Sequence, residues 1–242
     1  PPVVTDYEHA TAQLVDGTAG DTTLHQYADG LSLTLYPIVG QAIDKPAAST
    51  SGMDYSYDQT DDDGIEWRMS DSTVKGREGI DRFTVGRQAF HAKLKFSIAD
   101  VSGTDDCAFG FCKVDVHRAA IDDNDEMACL NVISGDINIE TVLNNASTTT
   151  TDTTDNWADG ETHTLEVYVA ISGAVTYKID GKAPTTTAAF SFDRGEVVTP
   201  FFYQLQAGHL SGAIVLQQLE VGSDKGSLEA NEVSPGSVTG IG

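Results

Sequence analysis

The densest group of side chains that could bind a ligand is an acidic loop near the middle of the chain. It contains four carboxylates that lie close together in sequence: Asp122, Asp123, Asp125 and Glu126. Calcium prefers oxygen ligands of this kind, so the loop is a candidate calcium site, and no other cofactor is predicted. The alternative is a solvated acidic turn, because acidic residues are abundant throughout this chain.

Carboxylates can also hydrolyse glycosidic bonds, but their spacing here does not favour catalysis. A retaining glycosidase needs two carboxyl groups about 5 Å apart in one cleft. The stretch from Asp136 to Glu140 places only its two end residues on one face of a strand. The six histidines form no i, i+4 pair, so neither a zinc site nor a catalytic triad is predicted. We therefore expect a protein that is not an enzyme.

The three cysteines are expected to be small buried side chains rather than a redox or metal site. An odd number of cysteines cannot pair completely. Cys107 and Cys112 occupy odd and even positions of one predicted strand, so they point to opposite faces. Together with an amino terminus that lacks a basic and apolar leader, this usage is typical of folding in a reducing cytoplasm.

A short basic stretch could contact a partner protein. Lys75, Arg77 and Arg82 are clustered in a chain that is otherwise acidic. Such a patch could dock on an acidic partner or on a neighbouring copy. The alternative is a loop in which the arginines pair with Glu78 and Asp81.

The two tryptophans, Trp67 and Trp157, could bind glycans, since exposed aromatic rings stack on sugars. The alternative is that both rings belong to the hydrophobic core or lie at a sheet edge.

The elements that must position these residues are β-strands, because apolar and polar residues alternate with a period of two. The clearest runs are 31–35, 90–98, 108–114, 127–133, 137–143, 162–170, 175–179, 197–206 and 213–221. Pro37 is expected to end the first strand. Ser172-Gly173 and Asp180-Gly181 are predicted to form tight turns, because glycine and aspartate tolerate positive φ. The polar stretch 144–156 is predicted to be a loop.

Many short antiparallel strands in a chain of 242 residues predict an all-β fold, with two sheets packed face to face as a sandwich or jelly roll. We divide the chain into an N-terminal arm with the first strands (1–50), a jelly-roll domain (51–222) and a C-terminal tail (223–242).

The net charge of −23 argues against two classes of partner. An acidic surface repels phosphate backbones and anionic lipids, so neither nucleic acid nor a membrane is expected to bind. No apolar run approaches the roughly 18 residues that a membrane span needs.

Several segments resemble a known family. They are "FHAKLKFSI", "CAFGFCKV", "DDNDEMACL", "WADGETHTLEVYVAISGAVTYKIDGK", "FFYQLQA" and "IVLQQLEVG". In this order they resemble the concanavalin A-like and laminin-G-like jelly rolls. Their sequences are similar to those of jelly-roll structural proteins of tailed bacteriophages, marine ones especially. The resemblance covers roughly residues 52–222 and is more specific for the fold than for the function.

The resemblance implies a non-enzymatic virion structural protein, most of all a capsid decoration or cement protein that bridges neighbouring subunits on the head. A fibre or tail component and a glycan-binding lectin-like module are the alternatives. The implied partners are the major capsid protein or other virion subunits and further copies of this chain in a homo-oligomer. The implied location is the virion, assembled in the host cytoplasm.

Overall fold

A computed structural model describes residues 3–6, 13–15, 23–26, 32–38, 47–49, 52–54, 64–73, 76–206 and 214–224. These residues form β-strands and two short 3-10 helices, Val101–Gly103 and Ile121–Asp123. In this part of the chain, no helix is long and apolar enough to cross a membrane.

The strands, numbered in chain order, form two antiparallel sheets. The seven-stranded sheet contains β1 (Val3–Asp6), β5 (Ala47–Ser49), β6 (Gly52–Asp54), β9 (Ala89–Ile98), β14 (Thr162–Val169), β15 (Val175–Ile179) and β17 (Ile214–Asp224). The ten-stranded sheet contains β2 (Gln13–Val15), β3 (Thr23–Gln26), β4 (Ser32–Ile38), β7 (Gly64–Arg68), β8 (Phe83–Thr84), β10 (Thr104–Lys113), β11 (Met127–Ile133), β12 (Asp136–Val142), β13 (Thr149–Asn156) and β16 (Val197–Gln206).

The order of neighbours is β15-β14-β9-β17-β6-β5 in the seven-stranded sheet, where β1 also pairs with β17. The order is β13-β12-β11-β10-β16-β7-β4-β3-β2 in the ten-stranded sheet, where β8 also pairs with β16. Sequential strands are often not neighbours, so the chain crosses repeatedly between the sheets. This architecture confirms the predicted all-β, antiparallel, two-sheet jelly-roll sandwich.

The main hydrophobic core lies between the sheets and is built by alternation along the strands. In β10, Phe109 and Phe111 face this core, whereas Cys112 faces the opposite side of the sheet. On that outer side a second cluster includes Met127 and Tyr203. Period-two geometry therefore divides one strand between two apolar clusters. All three cysteines are buried and free, as predicted.

Two local predictions are wrong. Pro37 was expected to end its strand, but β4 continues to Ile38. Ile38 pairs with Gly64, the first residue of β7. Proline is tolerated there because, in the described residues, β3 pairs with β4 only as far as Leu35, so Pro37 has a neighbouring strand on one side. Most of the predicted polar loop 144–156 is the strand β13, which pairs with β12 at the end of the sheet. Threonine favours strands, and an edge strand does not need an apolar face.

The predicted domain boundaries are only partly covered by the described residues. Strands from the predicted N-terminal arm join both sheets: β1 pairs with β17, and β4 pairs with β7. The last strand, β17, runs to Asp224, and residues 225–242 of the predicted tail lie outside the described part.

Candidate functional site

The outer face of the ten-stranded sheet, turned away from the other sheet, is partly covered by the loop 115–125. Four connections hold this loop on the sheet: His117 Nδ1 to Glu66 Oε2 (2.5 Å), Arg68 Nη2 to Asn124 Oδ1 (2.9 Å), Arg68 Nη1 to the carbonyl of Val116 (3.4 Å) and Tyr203 Oη to the carbonyl of Ala119 (2.9 Å). Glu66 and Arg68 form an ion pair of 2.7 Å and are both completely buried. The sequence alone gave no sign of this network, because its two halves are about 50 positions apart.

Three of the four predicted calcium ligands belong to this loop and Glu126 follows it, and the structure does not bring the four together. Asp122 and Asp123 are exposed in the 3-10 helix, and Asp125 pairs with Arg118 at 3.3 Å. Glu126 is fully buried and lies on the inter-sheet side of its strand, because the next residue, Met127, faces the outer side. Among the described residues, no three His, Cys, Asp or Glu side chains converge closely enough to hold a metal ion.

A pocket of about 360 Å³ opens beside this loop on the outer face of the ten-stranded sheet. It is lined by Asp106, Ala120, Ile121, Asp122, Glu140, Thr148, Thr150, Tyr203 and Leu205. Its walls therefore carry three carboxylates and no basic side chain, so it favours neutral or cationic ligands over anions.

Two of the pocket carboxylates are held by one amide. Asn131 Nδ2 donates to Asp106 Oδ1 (2.6 Å) and to Glu140 Oε2 (2.9 Å), and Thr150 Oγ1 donates to Glu140 Oε1 (3.1 Å). Burial raises the pKa of Asp106 to about 6; the hydrogen bond from Asn131 opposes this rise, and the negative charge of Glu140 adds to it. Asn131 of β11 thus links Asp106 of β10 to Glu140 of β12, because these three strands are adjacent.

The predicted basic contact residues are paired within their own loop. Arg77 Nε lies 2.9 Å from Asp81 Oδ2, and Arg82 Nε lies 3.6 Å from Glu78 Oε2. The alternative of internal pairing is therefore confirmed for both arginines, and their contact with a partner stays a prediction. Lys75 lies outside the described residues.

Both tryptophans belong to the hydrophobic core. Trp67 is completely buried and stacks on Phe202, with ring centroids 5.7 Å apart. Trp157 is 2% exposed and packs on Phe96, with ring centroids 4.6 Å apart. Stacking on a sugar needs an exposed ring face, so these two rings cannot form the predicted glycan platform.

A lysine-rich surface that was not predicted from the sequence lies on the outer face of the seven-stranded sheet. We call it the lysine face and define it by Lys93, Lys95, Lys178 and Tyr168. Lys95 is exposed, and its cross-strand neighbours, Thr164 and Gln218, carry no charge.

The remaining lysines surround the tyrosine ring. Lys178 Nζ lies 4.8 Å and Lys93 Nζ lies 6.0 Å from the centre of the Tyr168 ring. Lys93 also pairs with Glu220 at 3.0 Å. No ion pair of Lys95 or Lys178 is present within the described part of the chain. The alternation of β9 and β15 could have indicated this face, since the apolar residues between the lysines are core residues.

No family model and no curated protein matches this chain. Among solved structures, the receptor-binding domain of botulinum neurotoxin D is 8% identical, with a TM-score of 0.46, and the match covers 90% of this chain and 50% of that chain. The ligand-binding domain of serotype D in complex with N-acetylneuraminic acid is also 8% identical, with a TM-score of 0.47, 90% of this chain covered and 48% of that chain. This chain spans about half the length of these proteins, and at such identity the likeness concerns the fold alone.

Proposed function

We propose that this chain is a non-enzymatic structural protein of a tailed-phage virion, and that it decorates the head by bridging neighbouring subunits. The observation that carries the proposal is where the phage-like segments lie. "FHAKLKFSI", "THTLEVYV", "AVTYKI" and "IVLQQLEVG" fall on β9, β14, β15 and β17, which are adjacent in one sheet. "CAFGFCKV", "MACL" and "FFYQLQ" fall on β10, β11 and β16, which are adjacent in the other. The resemblance therefore covers adjacent strands of both sheets rather than scattered ones.

The lysine face supports a specific mode of attachment in this proposal. The chain has a net charge of −23, and its loop arginines are neutralised by neighbouring carboxylates. Lys95 and Lys178 are cations on a broad sheet face, beside a half-buried tyrosine. Complementary charge selects and orients partners, and tyrosine is enriched at interfaces. The lysine face would therefore rest on an acidic surface of the shell.

Rebinding of the purified chain to particles that lack it tests this proposal. We expect the unaltered chain to bind and the double variant Lys95→Glu with Lys178→Glu to lose at least about tenfold in affinity, because both changes place like charges at the contact. The control is Arg87→Glu with Arg194→Glu, which changes the net charge equally at exposed sites outside the lysine face. Equal binding by the two double variants would contradict attachment through this face.

Glycan binding is the second candidate, and the pocket beside the loop 115–125 is the observation that favours it. Its carboxylates and threonines supply hydrogen-bond acceptors and donors for sugar hydroxyls, within a volume of about 360 Å³. Failure of the chain to bind particles, together with a glycan-array signal that Glu140→Gln abolishes, would favour this function over the first.

A further inference from the structure

Glu126 is the most unusual titratable group in the described part of the chain. It is completely buried, and neither of its carboxylate oxygens has a hydrogen-bond partner among the described residues. A buried charge without a partner is costly, so such a group needs a physical explanation.

The position of Glu126 follows from the alternation of three adjacent strands. Ala128, Phe111 and Val198 face the core between the sheets. Glu126 precedes Ala128 by two residues, Lys113 follows Phe111 by two, and Glu196 precedes Val198 by two. Side chains two residues apart on a strand point to the same face, so these three charged residues lie on the inter-sheet side at one end of the sandwich. The backbone amide of Lys113 donates to the carbonyl of Glu126 (2.9 Å), which keeps these strand ends together.

The charges around Glu126 are mostly negative. Glu196 and Asp193 come from the turn before β16, Asp125 precedes Glu126 in the chain, and Lys113 is the cation. That cation is already engaged, because Lys113 Nζ lies 3.4 Å from Glu196 Oε2. Ionised Glu126 would therefore be buried near the Lys113–Glu196 ion pair and near two further carboxylates, Asp193 and Asp125.

The turn 193–196 closes this end of the sandwich. The amide of Gly195 donates to the carbonyl of Val85 (3.0 Å), and the amide of Val85 donates to the carbonyl of Glu196 (2.9 Å). Asn144 Nδ2 also donates to Asp193 Oδ2 (3.3 Å). Opening of the turn would break these bonds and remove Glu196, whose ion pair with Lys113 lies beside the buried Glu126.

We propose that protonation of Glu126 controls the closure of turn 193–196, so that the neutral carboxyl favours the closed turn and the carboxylate favours the open one. The inference does not depend on the function proposed above. It gives this end of the sandwich a response to pH.

The direction of the response follows from the protonation equilibrium. Burial first, and then the nearby Glu196, raise the pKa of Glu126 from 4.5 to about 7. Without the charge of Glu196, the pKa of the carboxyl in the open turn falls towards its ordinary value, so the closed state binds the proton more tightly. Closure is fully favoured below the ordinary pKa, and it weakens as the pH rises towards the raised one.

Hydrogen exchange of the Val85 and Gly195 amides, corrected for the intrinsic pH dependence of exchange, tests the proposal on the full chain. We expect their opening equilibrium to increase by roughly tenfold per pH unit between about pH 5 and about pH 7. Glu126→Gln keeps the shape of the side chain and removes the titration, so opening of that variant is expected to stay constant over this range. The Gly160 amide, which donates to Ile98 in another turn, is the internal control.

A second variant guards against a folding defect in the first. Glu196→Gln removes the negative charge that raises the pKa of Glu126 most but leaves Glu126 able to titrate, so it should reduce the pH dependence without abolishing it. The proposal is overturned if exchange at Val85 and Gly195 is independent of pH in the unaltered chain, or if Glu126→Gln retains the full dependence.

Discussion

At the scale of single residues, the buried pair of Glu66 and Arg68 shows how the ten-stranded sheet holds its covering loop. Both side chains are on the outer face of β7, where alternation alone would leave them in water. The loop 115–125 covers them and supplies His117 and Asn124 as further partners. A buried charge is tolerated when every partner is present, so each member of the network depends on the others.

Removal of one partner from this pair should be costly. We expect Arg68→Met to lower the free energy of unfolding by about 3 kcal/mol or more, because Glu66 would be left buried without its cation. Arg87→Met is the matched control, since this arginine is 69% exposed and lies 3.8 Å from Glu78; its loss should cost no more than about 0.5 kcal/mol. Urea unfolding measures both values, and equal losses would show that the buried pair contributes no more than a surface pair.

Residue types predicted which side chains are buried better than they predicted which side chains form a functional site. The cysteines were predicted as buried and free because their number is odd and their positions alternate, which are local properties. The pairing of Asp106 with Glu140 through Asn131 depends instead on which strands are neighbours. A single sequence does not contain that information, so the pairing of Asp106 with Glu140 was not predicted.

At the scale of elements, turns and strongly alternating strands were the most predictable features. Asp180 and Gly181 both have positive φ, 51° and 79°, as their predicted tight turn requires. The strands Met127–Ile133, Val175–Ile179 and Val197–Gln206 begin and end where alternation predicted. The strand β13 was missed because its side chains are nearly all polar and carry no period-two signal.

The closeness of β10 and β11 also depends on one glycine. A Cβ at Gly110 would overlap the carbonyl oxygen of Ala128 and lie 2.7 Å from Cys129 Cβ. The neighbouring strand therefore has no room for a side chain at this position.

Substitution of this glycine tests the packing of the two strands. We expect Gly110→Ala to lower the free energy of unfolding by about 2 kcal/mol or more, because backbone atoms must move apart. The control is Gly160→Ala, where φ is +72° but the new Cβ meets no atom within 4 Å, so only the backbone strain of about 1 kcal/mol applies. Thermal or urea unfolding gives the comparison; a cost at position 110 no larger than at position 160 would contradict the close packing.

At the scale of the whole molecule, the two outer faces of the sandwich differ in charge. The ten-stranded sheet presents a pocket with three carboxylates, whereas the seven-stranded sheet presents the lysine face. A net charge of −23 gave only the general expectation that acidic partners would be repelled. Alternation along β9 and β15 sends the lysines outward and places Leu94, Phe96 and Tyr177 in the core. Glu166 and Glu220 lie opposite Lys93 on the same outer face.

Fold class was predictable from one sequence because it depends on periodicity and turns, which are repeated many times along the chain. The pairing of β1 was not, since its partner, β17, follows more than 200 residues later in the chain. Function depends on surfaces assembled from several strands. The lysine face draws on β9, β14 and β15, which are brought together only by the folded sheet.

The measurement that tests the proposed virion role most directly is quantitative mass spectrometry of purified phage particles from the source of this chain. The number of copies should be compared with that of the major capsid protein. A head decoration protein is expected to be present in copies comparable to the capsid subunits, because it repeats with the lattice that it bridges. Absence of the chain from purified particles would contradict a virion role, and a handful of copies would contradict decoration of the head.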